Sequence, residues 1–157
     1  MVKKKKRAIC CFLMMLMQVV LIAGCTMPRV MILDDPLSPE EHLRLGLAYE
    51  KDGELDNAIR EYRAAAKRLP GAYFYLGNAH FQKNELDQAE KYYKRAIKED
   101  SQNADAHNNL AWLYFVRRTN LDEAEKLVLK AIELNPSNQL TYEDTLEKVR
   151  DLKGSIE

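Results

Sequence analysis

Residues 73–96 read YFYLGNAHFQKNELDQAEKYYKRA. Tyr73, Leu76, Gly77 and His80 fall on one helical face. The dipeptide Lys83-Asn84 then breaks the run, and Ala89, Tyr93 and Ala96 mark the face of a second helix. The same order flanks this stretch on both sides. Before it come His42, Leu45, Gly46 and Tyr49, then Ala58, Tyr62, Ala65 and Pro70; after it come His107, Leu110, Ala111 and Tyr114, then Ala124, Val128, Ala131 and Pro136. Small residues recur where two backbones must approach, and bulky ones fill the intervening space, so each copy makes sense as a packed helix pair. Asp52-Gly53 and Lys83-Asn84 close the inner turns. Ser38-Pro39-Glu40-Glu41 carries a capping box with proline at the first helical position, so the first helix starts there. Leu69-Pro70-Gly71 and Asn135-Pro136-Ser137 end the second helices of copies one and three. No strand-like alternation occurs after residue 38. The expected class is all-α.

This pattern over residues 39–138 resembles the tetratricopeptide repeat, which implies an α-solenoid of three helix pairs (39–69, 70–103 and 104–138). The sequence departs from the family pattern in three places. Copies one and two are offset by 31 residues instead of 34, copy three has one extra residue in its inner turn (Arg117-Arg118-Thr119-Asn120), and Val128 replaces an aromatic. A stack of this kind buries apolar surface only between neighbours, so its open end needs a polar cover. Residues 139–157 suit that role as a C-terminal capping helix, with Leu140, Tyr142, Leu146, Val149 and Leu152 on one side. Glu147 is expected at the small-residue position, where it would block a fourth copy. Seven helices are predicted.

The chain has 157 residues, with 24 Lys+Arg against 24 Asp+Glu, but residues 1–24 hold five cations and no acid, leaving 19 cations and 24 acids for the rest. A mildly acidic body argues against nucleic acid as a partner, because phosphate binding needs concentrated positive charge. The length suits one domain with an adequate core. At the N-terminus, Lys3 to Arg7 precede an apolar run from Ala8 to Ala23 that is short for a membrane span. Leu21-Ile22-Ala23-Gly24-Cys25 resembles the lipobox of bacterial lipoprotein signal peptides. That resemblance implies removal of residues 1–24, lipidation of Cys25 and a membrane-tethered mature chain in the bacterial cell envelope. With Thr26 in place of aspartate, it favours the outer membrane facing the periplasm in a Gram-negative cell. Residues 25–38 would form the lipidated tether. Cys10 and Cys11 would leave with the leader, so Cys25 alone would remain, which excludes an intrachain disulfide or a cysteine-based zinc site.

No active site is legible. His42, His80 and His107 hold packing positions without metal-ligand spacing, and no phosphate loop, nucleophile elbow or HExxH occurs. The expectation is therefore a protein without catalysis, cofactor, metal or small-molecule substrate. The family resemblance instead implies a concave groove lined by the first helices. Counting from Gly46, Gly77 and Ala111 places Leu43, Leu47, Glu50 and Lys51 on it, then Phe74, Asn78, Phe81 and Gln82, then Asn108, Trp112, Phe115 and Val116. Phe74, Phe81, Trp112 and Phe115 would form an aromatic strip bordered by amides, of the kind that marks an interface. The carboxylate-clamp use is set aside, since it would need lysines where Leu43 and Phe74 stand; Asn78 and Asn109 alone cannot neutralise a terminal carboxylate. The expected function is a membrane-anchored scaffold holding a protein or peptide segment in the groove. The alternative is an obligate subunit of an envelope machine such as a secretion, pilus or exopolysaccharide system.

Overall fold

The computed structural model describes residues 35–156. Residues 1–34, which include Cys25 and the segments expected to form the leader and most of the tether, lie outside the described residues. Among the described residues the elements are helical throughout: α1 (Pro39–Lys51), α2 (Leu55–Ala66), α3 (Ala72–Gln82), α4 (Leu86–Glu99), α5 (Ala104–Arg117), α6 (Leu121–Leu134), a short 3-10 turn (Pro136–Asn138) and α7 (Gln139–Gly154). Each helix packs on its successor, and α7 also returns to α5. The fold is the expected α-solenoid of three helix pairs and a final helix.

Local chemistry accounts for most boundaries. The Ser38 hydroxyl accepts from the Glu41 backbone N–H at 3.2 Å while Glu41 accepts from the Ser38 N–H at 2.7 Å, which completes the capping box. These bonds hold the Glu41 carboxyl below its ordinary value. Asn103 caps α5 through its side chain to the Ala106 N–H. Gly53 takes φ +78° in the α1–α2 turn, and Asn84 takes φ 60° at the matching place before α4. Only a residue tolerant of the left-handed region closes so short a turn.

The two insertion–deletion differences resolve differently from their reading as sequence. The three missing residues of copy two shorten α3 at its N-terminus, where Gly71 offers no side-chain cap and entry runs through i→i+3 bonds from Ala72, Tyr73 and Phe74 to Leu69, Pro70 and Gly71. The extra residue of copy three does not enlarge the turn. Arg117 is helical, so α5 gains it, and the chain leaves through left-handed Arg118 and Asn120.

The core comprises two clusters. One centres on Ala58, Tyr62, Ala65 and Leu76; the other runs from Ala89 and Tyr93 through Leu110, Ala111 and Val128 to Tyr142, Leu146 and Val149. The α7 reading needs correction. Tyr142, Thr145, Leu146 and Val149 are its buried residues, at the spacing of His107, Leu110, Ala111 and Tyr114 in α5. Leu146, not Glu147, therefore takes the small-residue position; Glu147 is exposed, and Leu140 is 84% exposed instead of packed. Among the described residues no second helix pairs with α7 at Leu146, and a bulky residue fits there.

Candidate functional site

Because α1, α3 and α5 are equivalent helices of successive pairs, a residue just after the small position of one meets a residue just before it in the next. Asn109 Nδ2 donates to Asn78 Oδ1 at 3.0 Å, and the Tyr93 hydroxyl donates to the same oxygen at 2.9 Å. With that oxygen twice occupied, Asn78 has its amide N–H groups left to offer a ligand. Burial pushes the Tyr93 hydroxyl well above the usual tyrosine range, the Asn109 bond opposes this, and the Glu50 charge adds to it. Tyr93 thus stays a neutral donor.

Around this network lies a cavity of about 230 Å³ lined by Asn78, Phe81, Gln82, Tyr93, Asn109 and Trp112. Trp112 lies 4.9 Å from Phe115 between ring centroids, and Lys148 of α7 sits 5.3 Å over the Trp112 ring. Helix α7 therefore brings one ammonium group onto the Trp112 ring.

The remaining groove positions divide. Leu47 is 40% exposed and Val116 is 44% exposed, whereas Leu43, Phe74, Phe81 and Phe115 are half-buried against the core. Phe74 packs edge-on to Tyr75 at 5.4 Å and tilted against Tyr93 at 6.5 Å, which places it beneath the strip. Glu50 accepts from both the Tyr62 hydroxyl and the Gln82 amide, so it ties three helices together. Lys51 is exposed at the end of α1. Asn108 does not line the cavity: it is 8% exposed, and its Oδ1 has no partner among the described residues. It follows the first-helix pattern in register, yet its side chain is buried.

The cavity thus gathers Asn78, Phe81, Gln82 and Trp112 from the groove set and adds Tyr93 and Asn109. Tyr93 reads from sequence as a packing aromatic of the second helix. Only its hydroxyl, reaching Asn78, brings it to the groove. Asn109 had a signal in the sequence: it stands two residues before Ala111, where it faces the preceding first helix.

The three histidines are all buried. His42 lies between Glu61 (2.8 Å) and Asp35 (3.1 Å), His80 meets Glu85 at 2.5 Å, and His107 Nε2 faces the Ser101 carbonyl at 3.2 Å. Such pairing fits structural roles. The Lys83 ammonium and then His80 hold the Glu85 carboxyl below its ordinary value.

Comparisons with known proteins agree with this architecture. Over 99 residues the chain is 30% identical to the human Protein O-mannosyl-transferase TMTC2, a match covering 59% of this chain and only 12% of that protein. The first TPR of Spaghetti (RPAP3) bound to an HSP90 peptide superposes with a TM-score of 0.70 at 22% identity, over 76% of this chain and 96% of that one. The TPR2B domain of yeast Sti1 in complex with pHsp70 gives 0.68 at 18%, over 72% and 96%. MamA gives 0.66 at 26%, over 74% and 64%. The model described as Tetratricopeptide repeat matches residues 32–73, 43–104 and 74–139, together more than half of the sequence. With three helix pairs, small residues at their crossings and this match, the chain belongs to the tetratricopeptide repeat family.

Proposed function

We propose that this protein is a membrane-anchored scaffold that holds an extended or helical segment of a partner protein against α3 and α5, without catalysis. The carrying observation is the cavity between those helices, where the Asn78 amide and the faces of Phe81 and Trp112 converge. Aromatic faces supply area at little entropic cost, and a fixed amide orients a peptide backbone. Two structural neighbours are complexes with an HSP90 peptide and with pHsp70, which supports a peptide as the ligand class. Leu43 and Phe74 stand where a carboxylate clamp would carry lysines, so an acidic peptide C-terminus is not the expected ligand. The tether is proposed from Leu21 to Cys25 alone: a lipidated Cys25 would place the stack at a bacterial envelope membrane, the outer one in a Gram-negative cell.

Both halves have tests. Photo-crosslinking from position 112 in intact cells should trap a partner that position 129, on α6, does not. Equal trapping from both would instead indicate the obligate-subunit arrangement, with outer faces buried too. Cys25→Ser should abolish palmitate labelling and leave the precursor uncut; a processed, membrane-bound variant would overturn the anchor.

A further inference from the structure

Within the acidic body, cations gather beside α2, at the end of α3 and along α4. A cavity of about 450 Å³ beside α2 is lined by Arg60, Arg63, Lys67 and Lys83, with Asp56 and Glu85 at the Lys83 end. A second, of about 420 Å³ on α4, is lined by Lys91, Lys94, Arg95 and Lys98 around Tyr73 and Tyr92; Lys94 pairs with Glu90 and Arg95 with Glu99. The two adjoin, because Tyr92 stacks on Tyr73 at 6.3 Å in one and on His80 at 5.1 Å in the other. Neither shares a residue with the cavity between α3 and α5. Lys83 is taken up by Asp56 and Glu85. Arg63, Lys67, Lys91 and Lys98 are exposed and have no carboxylate within 4.0 Å among the described residues. On α6 the balance reverses: Asp122, Glu123, Glu125 and Glu133 face Lys126 and Lys130, and both lysines are paired.

We propose that this α2–α4 face lies on anionic phospholipid headgroups. Unpaired cations on long side chains, spread over α2 and α4 on either side of α3, match a laterally extended negative surface better than a point ligand. Tyrosines between them have the apolar body and polar tip favoured at a membrane interface. The reading rests on the Cys25 anchor for its geometry. Nine residues lie between Cys25 and Asp35, an extended reach of at most about 35 Å, which would let the first two repeats lie near the bilayer. The face would then turn the stack so that its N-terminal pairs touch lipid and the acidic α6 stands away.

The test uses residues 26–157, which lack leader and lipid but retain the compact unit with its own cores. Sedimentation with vesicles of phosphatidylglycerol and phosphatidylethanolamine should show binding that weakens with salt, and neutral phosphatidylcholine vesicles should show none. Lys67→Gln/Lys91→Gln/Lys98→Gln should lower the partition coefficient about 100-fold, while Lys126→Gln/Lys130→Gln leaves it unchanged. Equal binding to both vesicles, no binding, an unaffected triple variant, or preference for a polyglutamate peptide over anionic vesicles would each overturn the proposal. Palmitate labelling of Cys25 in the full chain is read separately, so loss of the anchor and loss of the lipid-facing surface are distinct results.

Discussion

The ring of Tyr93 occupies the space that a side chain at Gly77 would need: a Cβ built there comes within 2.5 Å of Tyr93 Cε1. Gly46 and Tyr62 stand in the same relation, with 2.5 Å to Cδ1. In the third pair the exchange is reciprocal: alanine replaces glycine at 111 and valine replaces the aromatic at 128, both fully buried. Val128 is therefore the partner that Ala111 requires.

This relation predicts a coupled pair. Gly77→Ala should destabilise by about 1–3 kcal/mol through overpacking, despite alanine's better helix propensity. In the Tyr93→Val background the same change should cost less than 0.5 kcal/mol or become favourable. A denaturant double-mutant cycle measures the coupling; simple additivity would mean that the Tyr93 ring yields freely.

Binding and stability should separate within the groove. Trp112 lines the cavity and borders Lys148, while Phe115 packs on the core behind it. Trp112→Ala should weaken capture of the crosslinked partner by about 2 kcal/mol or more with little change in melting. Phe115→Ala should lower the melting temperature itself. Loss of helicity in Trp112→Ala would place that ring in the core.

Arg118 is exposed and left-handed at φ 53°, in the turn where the first pair uses Gly53. Removing its Cβ relieves about 1–2 kcal/mol of backbone strain, partly offset by the greater freedom of glycine when unfolded. Arg118→Gly should therefore stabilise by about 0.5–1 kcal/mol, visible as a higher denaturation midpoint with unchanged slope.

Acid should loosen the terminal helix first. Lys153 bonds Asp122 at 2.5 Å and Arg150 bonds Glu125 at 2.7 Å, joining α7 to α6. Lys153 holds the Asp122 carboxyl below its ordinary value, and Arg150 does so for Glu125. A depressed carboxyl contributes stability above its unfolded value, about 4, and loses it as pH falls through the lower folded value. The emission of Trp112, the single tryptophan, reports the departure of Lys148. It should change below about pH 4 before far-UV helicity falls, and Arg150→Met/Lys153→Met should flatten that response. Simultaneous loss of both signals would show that α7 has no separate transition.

The helices and their pairing were legible along the chain. Leu45-Gly46, Leu76-Gly77 and Leu110-Ala111 lie within one turn of chain, and the alanines of α2, α4 and α6 keep helical spacing with them. Such information is local, so it survives without coordinates. Tertiary structure alone decided what happens between pairs: that Tyr93 and Asn109 converge on the Asn78 oxygen, that Asn108 is covered, that Leu146 and not Glu147 turns inward, and that α5 absorbs an extra residue. Each depends on distances across helices, which the stagger of stacked pairs sets and which no spacing along one helix records. The charge on α2 and α4 was countable from the start, yet its two clusters adjoin only through α3, whose Tyr73 and His80 both stack on Tyr92.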